Sequence, residues 1–448
     1  MESKILNIYH LIHEELKMLD LFQNLRIAEE NLHPKFKILR DILKLTGEQE
    51  VLKEWTDGFI DRDNKIIKEF QTTFHSSFWE FYLFSFFKEA GFEIDFSKNS
   101  PDFIISKPEK ILVEAVVSNI KKDGRTENTR NQDDLWSMLI PPYLRKDFYN
   151  NLDESIVRHS NAITSKNKKY IDQYSNLKWV NGNEPFVIAL SACDQVNYGN
   201  EFYYPLMALL YGFYFDVKTE EYIKKDFIIK PNTKKAQIPL NIFLNMEHIS
   251  AIIFSCTTTL GKLKSLAISQ EKSDKITNFV MSIRHDDEFP HYKIQEVTKN
   301  TPEYLSDGVF IFHNPYAKNP LSKELFQKTN AVHITIKDNA LSFYGKNIPI
   351  VSRFNSPKIP EELKRMIQYK TICEFNRMCD DNKWTDAEWI VENLTEDEML
   401  KLLELQIICL ENKLCEINFE DLKKMHLDNI RHYTDLNDSH FIIPRHEH

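Results

Sequence analysis

The chain has 448 residues, 42% apolar and 28% charged, a balance typical of soluble globular proteins. At roughly 150 residues per domain, that length excludes a minimal binding module, and the lack of any run of about 18 apolar residues excludes a transmembrane helix. The net charge of −10 would argue against a nucleic-acid partner if it were spread evenly, but it is not: between Asp380 and Asp421, 13 acidic residues face three lysines, leaving the rest of the chain neutral.

Glycine is scarce, at 10 residues, and neither a Walker A motif nor a G-x-G-x-x-G stretch occurs, which argues against nucleotide binding by a glycine loop. The six cysteines form no closely spaced pair of the zinc-binding kind and read as reduced core residues. The amino terminus lacks the apolar stretch of a signal peptide, so a cytoplasmic location is expected.

In chain order, residues 1 to about 68 read as helices, with Ile5, Ile8, Ile12, Leu16, Leu19 and Phe22 at helical spacing. A further helix is predicted from Phe70 to Ala90, ended by Gly91. Three strands follow: Phe92 to Phe96, Phe103 to Ile105, and the β-branched run Ile111 to Val117. A polar stretch leads to a helix from about Asp153 to Tyr174, and the strand Phe186 to Leu190 begins directly after Pro185. Further strands are expected at Ile249 to Ser255, Val309 to Phe312, Val332 to Ile336 and Leu341 to Tyr344. Beyond Pro357 the pattern returns to helices.

The expected fold class is therefore α/β, a central mixed β-sheet flanked by helices, with helical N- and C-terminal regions. The divisions are 1–68 (helical), 69–265 (core), 266–356 (a β-containing extension of the core) and 357–448 (acidic and helical).

Three carboxylates stand out. Glu80 lies in the run FWEFYLFSFF, and a lone carboxylate facing inward there must be paired, hydrogen-bonded or neutralised. The alternative is that it looks to solvent from one polar edge of the helix. The turn Lys107-Pro108-Glu109 lies midway between Asp102 and Glu114. Symmetric pairing about Pro108 sets Ile105 opposite Ile111, Ile104 opposite Leu112, Phe103 opposite Val113 and Asp102 opposite Glu114. Like charges so placed repel and call for a cation, whereas a register slip of one residue would separate them.

The helix with Glu80, the strand, Pro101-Asp102-Phe103, the hairpin and Val113-Glu114-Ala115-Val116 together resemble the PD-(D/E)XK nuclease motif. With the following helix and strand, the element order is similar to that superfamily's restriction-endonuclease-like core over residues 69 to 192. The resemblance implies that Asp102 and Glu114 ligate Mg²⁺ or Mn²⁺, that Glu80 joins them as the first-helix glutamate, and that the reaction is phosphodiester hydrolysis. It further implies DNA rather than RNA as substrate, and bacterial restriction or antiviral defence as the setting.

One departure is plain: the family's lysine two residues after the acidic residue is Val116 here. Within the superfamily this lysine can come from a neighbouring helix. On the helix around Ile156, Ile163, Tyr170 and Tyr174, Lys166 flanks the apolar stripe, which makes it the catalytic candidate; its other reading is a stem over apolar surface with a solvated amine. Lys168 and Lys169 fall more than about 100° from the stripe and, with Arg158, read as phosphate-binding. Val116 also supports a rival reading, a catalytically inactive nuclease-fold protein that binds nucleic acid or a protein partner. A homo-oligomer or protein contact through the acidic C-terminal region is a further expectation.

Overall fold

A computed structural model describes residues 19–357, apart from 43–44, 121–123, most of 127–141, 193–200, 274–277, 286–291 and a few isolated loop positions. The acidic segment Asp380–Asp421 and any partner contact through it lie outside the described residues.

Among the described residues, seven α-helices and a large mixed sheet form an α/β architecture. The helices are α1 (Pro34–Asp41), α2 (Thr46–Thr56), α3 (Ile66–Thr72), α4 (His75–Ala90), α5 (Phe148–Asp172), α6 (Tyr204–Tyr211) and α7 (Leu260–Ser269). The eight strands of the sheet are β1 (Glu93–Ile94), β2 (Phe103–Lys107), β3 (Ile111–Val117), β4 (Phe186–Ser191), β5 (Ile249–Ser255), β6 (Phe310–His313), β7 (Val332–Lys337) and β8 (Ala340–Tyr344). They lie side by side in chain order. The β3-β4-β5 centre is parallel, β1-β2, β2-β3, β5-β6 and β7-β8 are antiparallel, and β6-β7 is parallel.

The hairpin register is the one expected from symmetry about Pro108: Phe103 pairs with Val113, Ile104 with Leu112 and Ile105 with Ile111. Strand alternation then divides the residues between two faces. Phe103, Ile105, Val113 and Ala115 join a core with Val187, Ala189, Ala251 and Ile253, covered by residues of α1 to α4 and α7. Leu112, Glu114 and Val116 take the other face, toward α5, where Tyr170 stacks on Phe186 with ring centroids 4.4 Å apart. The central strands are buried on both faces, which explains their near-continuous apolar runs.

The helix expected from Phe70 to Ala90 is two helices. Thr72 and Thr73 turn their hydroxyls back onto the carbonyls of Lys68 and Glu69, and Phe74 adopts a positive φ of 60°. That conformation is held by packing, because the Phe74 ring stacks between His33 and Phe78. Gly91 ends α4 in the left-handed region at φ 83°, as a glycine at that position can.

On the α7 side, a charged cluster is wholly enclosed. Lys262 and Glu303 are both fully buried and 2.6 Å apart, Arg353 donates to Glu303 from two nitrogens, and Ser265 donates to its other side. The two cations hold the Glu303 carboxyl down to about 2 against the effect of burial. Among the described residues, no helix is long and apolar enough to cross a membrane.

Candidate functional site

The next step of the β2–β3 register sets Asp102 across from Glu114, and the structure brings the two together. The Asp102 Oδ2 accepts the Ala115 backbone N–H at 2.7 Å, so the carboxylate is anchored on the strand beside Glu114. Arg62, in the segment before α3, secures the approach to β2 by donating to the backbone carbonyls of Lys98, Pro101 and Asp102.

Glu114 is fully buried and both of its oxygens are engaged. Lys166 and Lys169 each donate to Oε1 at 2.7 Å, and the Tyr174 hydroxyl donates to Oε2 at 2.6 Å. Burial pushes the Glu114 carboxyl up, but the charge of Lys166 and the hydrogen bonds from Lys166, Lys169 and Tyr174 outweigh it and hold the group below the usual carboxylate range.

At Asp102 and Glu80 the balance runs the other way, because the nearby cations and the Ala115 N–H offset burial only in part. Burial, with the Glu114 charge next, pushes Asp102 up to about 6. Burial, followed by the charge of Asp102, pushes Glu80 up to about 8, although Arg62 draws it down. Glu80 stands on α4 within electrostatic reach of both other carboxylates, so the three expected residues share one neighbourhood. They are not arranged as a ligand set: among the described residues no three His, Cys, Asp or Glu side chains could hold a metal ion together.

The donor chemistry nonetheless suits a hard cation. Carboxylate oxygens are the ligands Mg²⁺ and Mn²⁺ prefer, and the raised carboxyls of Asp102 and Glu80 would both release their protons more readily beside such a charge.

Position 116 is a valine, and Lys166 from α5 reaches Glu114, the contact that the helical phase suggested. Lys169, expected on the outer face, reaches it as well. An angle measured at the helix surface treats the side chain as a point, whereas a four-carbon stem carries the ammonium around the helix. Its Nζ also lies 5.1 Å from the centre of the Tyr174 ring.

Lys168 is exposed, as expected. Arg158 differs from its expected phosphate-facing role, because its guanidinium is turned inward with the side chain only 8% exposed. It donates to the Ser155 hydroxyl at 2.8 Å and pairs with Glu201 at 3.3 Å. Burying a guanidinium requires an anion beside it, and Glu201 supplies one.

Sequence reasoning missed Tyr174 and Arg62. The first left a signal: a tyrosine on a buried stripe needs a partner for its hydroxyl, and the nearest isolated buried acid was Glu114. The second left none, since Arg62 acts on backbone carbonyls some 40 residues away in sequence.

No family model matches the chain, and neither a curated protein nor a solved structure shows a similarity that stands above chance.

Proposed function

We propose that the protein is a metal-dependent phosphodiesterase acting on nucleic acid, DNA in the first instance, with a restriction-endonuclease-like core. One observation carries this reading: a hairpin sets Asp102 beside Glu114 on the central sheet, and a neighbouring helix brings Lys166 to the same carboxylate in place of a strand lysine. An acid pair with a lysine against it is the working set of the PD-(D/E)XK motif, here with the lysine relocated.

Asp102 and Glu114 would hold a Mg²⁺ or Mn²⁺ ion, with Glu80 beside them. Once bound, that ion supplies an acidified water and charge neutralisation at the phosphorus. The remaining roles belong to the chain. Lys166 and Lys169 keep Glu114 ionised and aimed, and their ammonium groups, only partly exposed, are poised to donate to a phosphate oxygen. Tyr174 fixes the second Glu114 oxygen. Arg62 holds the strand entry that positions Asp102.

A second reading is favoured by the fact that both Glu114 oxygens already have partners within the protein. In it, the fold retains nucleic acid without cutting it.

Plasmid DNA and single-stranded RNA incubated with the full chain in Mg²⁺, Mn²⁺ or EDTA separate the two. Cleavage lost in EDTA and in Glu114→Gln is the expected result. Metal-independent retention of nucleic acid with no cleavage under any condition would reject the enzyme reading.

A further inference from the structure

Val116, which stands where the family motif has lysine, lines a cleft of about 660 Å³ between the end of β3 and α5. That volume lies within the range of small-molecule sites. Glu114 and Val116 are two residues apart on one strand and share a face, so the cleft begins about 7 Å from the acid pair. On the helix side, Ala162 and Ser165 line the cleft directly ahead of Lys166 and Lys169, so the ammonium groups and the cleft wall occupy successive turns of α5.

Besides the charged Glu154, Arg158 and Lys230, the walls are apolar in part and amide in part. Val116, Val157 and Ala162 offer flat, apolar surface, while Asn119 and Asn161 present exposed amides, each able both to donate and to accept. The inward-turned Arg158 closes one side, and Lys230 stands at the rim. A lysine at position 116 would extend from this wall and take up part of the space. Relocating the ammonium to α5 keeps the charge at Glu114 and leaves the cleft open.

From this arrangement we infer that the cleft is a nucleobase pocket, which receives the base next to the phosphodiester held at Asp102, Glu114 and Lys166. The inference rests on the nuclease reading for the identity of that phosphodiester. A planar aromatic heterocycle needs apolar faces and amide edges together. An Asn side chain matches a base edge in both donor and acceptor. A base can enter only when unstacked, so the preferred substrate is single-stranded or locally opened.

The test is calorimetric titration of the full chain with AMP, GMP, CMP and dTMP, with ribose 5-phosphate as the baseless control. At least one nucleotide should bind 10-fold or more tightly than ribose 5-phosphate. Asn161→Ala, an exposed change on α5, should shrink that margin at least 5-fold, and Ala162→Phe, which sets a ring in the space the base would take, should abolish it. The thermal midpoint of Asn161→Ala should stay at the wild-type value, so the inference remains testable even if Ala162→Phe fails to fold. Equal affinity for ribose 5-phosphate, or an undiminished margin in Asn161→Ala, would overturn the pocket. The two readings fail separately: base-dependent binding without cleavage of any nucleic acid rejects the nuclease and keeps the pocket, whereas cleavage without a base-dependent margin does the reverse.

Discussion

Replacing Glu80 with glutamine should alter how stability depends on pH. A carboxyl moved from 4.5 to about 8 binds a proton in the folded state over a range where the unfolded chain has released it. Folding stability therefore falls as pH rises through that window, is highest below about 4.5, and levels off above about 8. At 1.36 kcal/mol for each pH unit, the full span corresponds to roughly 5 kcal/mol as an upper limit. Glu80 is only half-buried and titrates in contact with the charge of Asp102, itself raised to about 6 by burial and by the Glu114 charge, so the expected difference between pH 5 and pH 8 is about 2 to 3 kcal/mol. Buried Glu48 and half-buried Glu89, also raised, slope the same way, so the measurement is the difference between wild type and Glu80→Gln in urea unfolding at pH 5, 6, 7 and 8. The variant should gain on the wild type as pH rises. With millimolar Mn²⁺ present, the wild type should instead be stabilised more at pH 8 than at pH 6, because a cation competes with the proton. Parallel pH profiles for the two proteins without metal would show that Glu80 carries an ordinary solvated charge and would remove it from the site.

Lys166→Ala and Lys169→Ala should each lower cleavage, by about 100-fold or less since each leaves the other ammonium on Glu114, and the double variant should lose more than the product of the two. Lys168→Ala should leave the rate in place and weaken only salt-sensitive binding; equal losses in all three would deny Glu114 its lysine pair. Tyr174→Phe removes a buried hydrogen bond to a charged group and should destabilise the fold by about 1.5–3 kcal/mol in urea unfolding with an unchanged m-value. Glu303→Gln leaves Lys262 and Arg353 enclosed without their anion and should remove about 3–5 kcal/mol, a loss that a second change, Lys262→Met, should partly restore.

The hairpin and the central strands were legible because their signals are local or symmetric. Ile111–Val117 and Ile249–Ser255 are β-branched runs bounded by turns, and the register followed from a single turn midpoint. The break at Phe74 was not legible: nothing in the run from Phe70 to Ala90 forbids a continuous helix, and the positive φ is imposed by rings contributed from His33 and Phe78. The small ribbons after α6, Phe213–Asp216 with Glu221–Lys224 and Phe227–Ile229 with Gln237–Pro239, also escaped, since strands of three or four residues carry too little periodicity.

The site was legible to the extent that repulsion is legible. Two acids forced opposite each other need positive charge, and that argument holds whatever supplies the charge. The sequence left open whether the cation is a metal or a side chain, and at Glu114 side chains supply it. Glu114 is neutralised by Lys166 and Lys169 and held low, while Asp102 and Glu80, with fewer partners, are pushed up. If the lysines were the whole compensation, a protein with no further need of Asp102 and Glu80 would gain stability by replacing them with neutral groups of the same shape. Burial and the Asp102 charge raise Glu80, burial and the Glu114 charge raise Asp102, and a positive charge brought from outside would relieve both. A divalent cation fits that requirement, and its binding should release protons in numbers that grow as pH falls from 8 to 6. Calorimetric titration of Mn²⁺ in two buffers of different ionisation enthalpy reads that number directly. Zero proton release at pH 6 would mean that the incoming cation does not meet these two carboxyls.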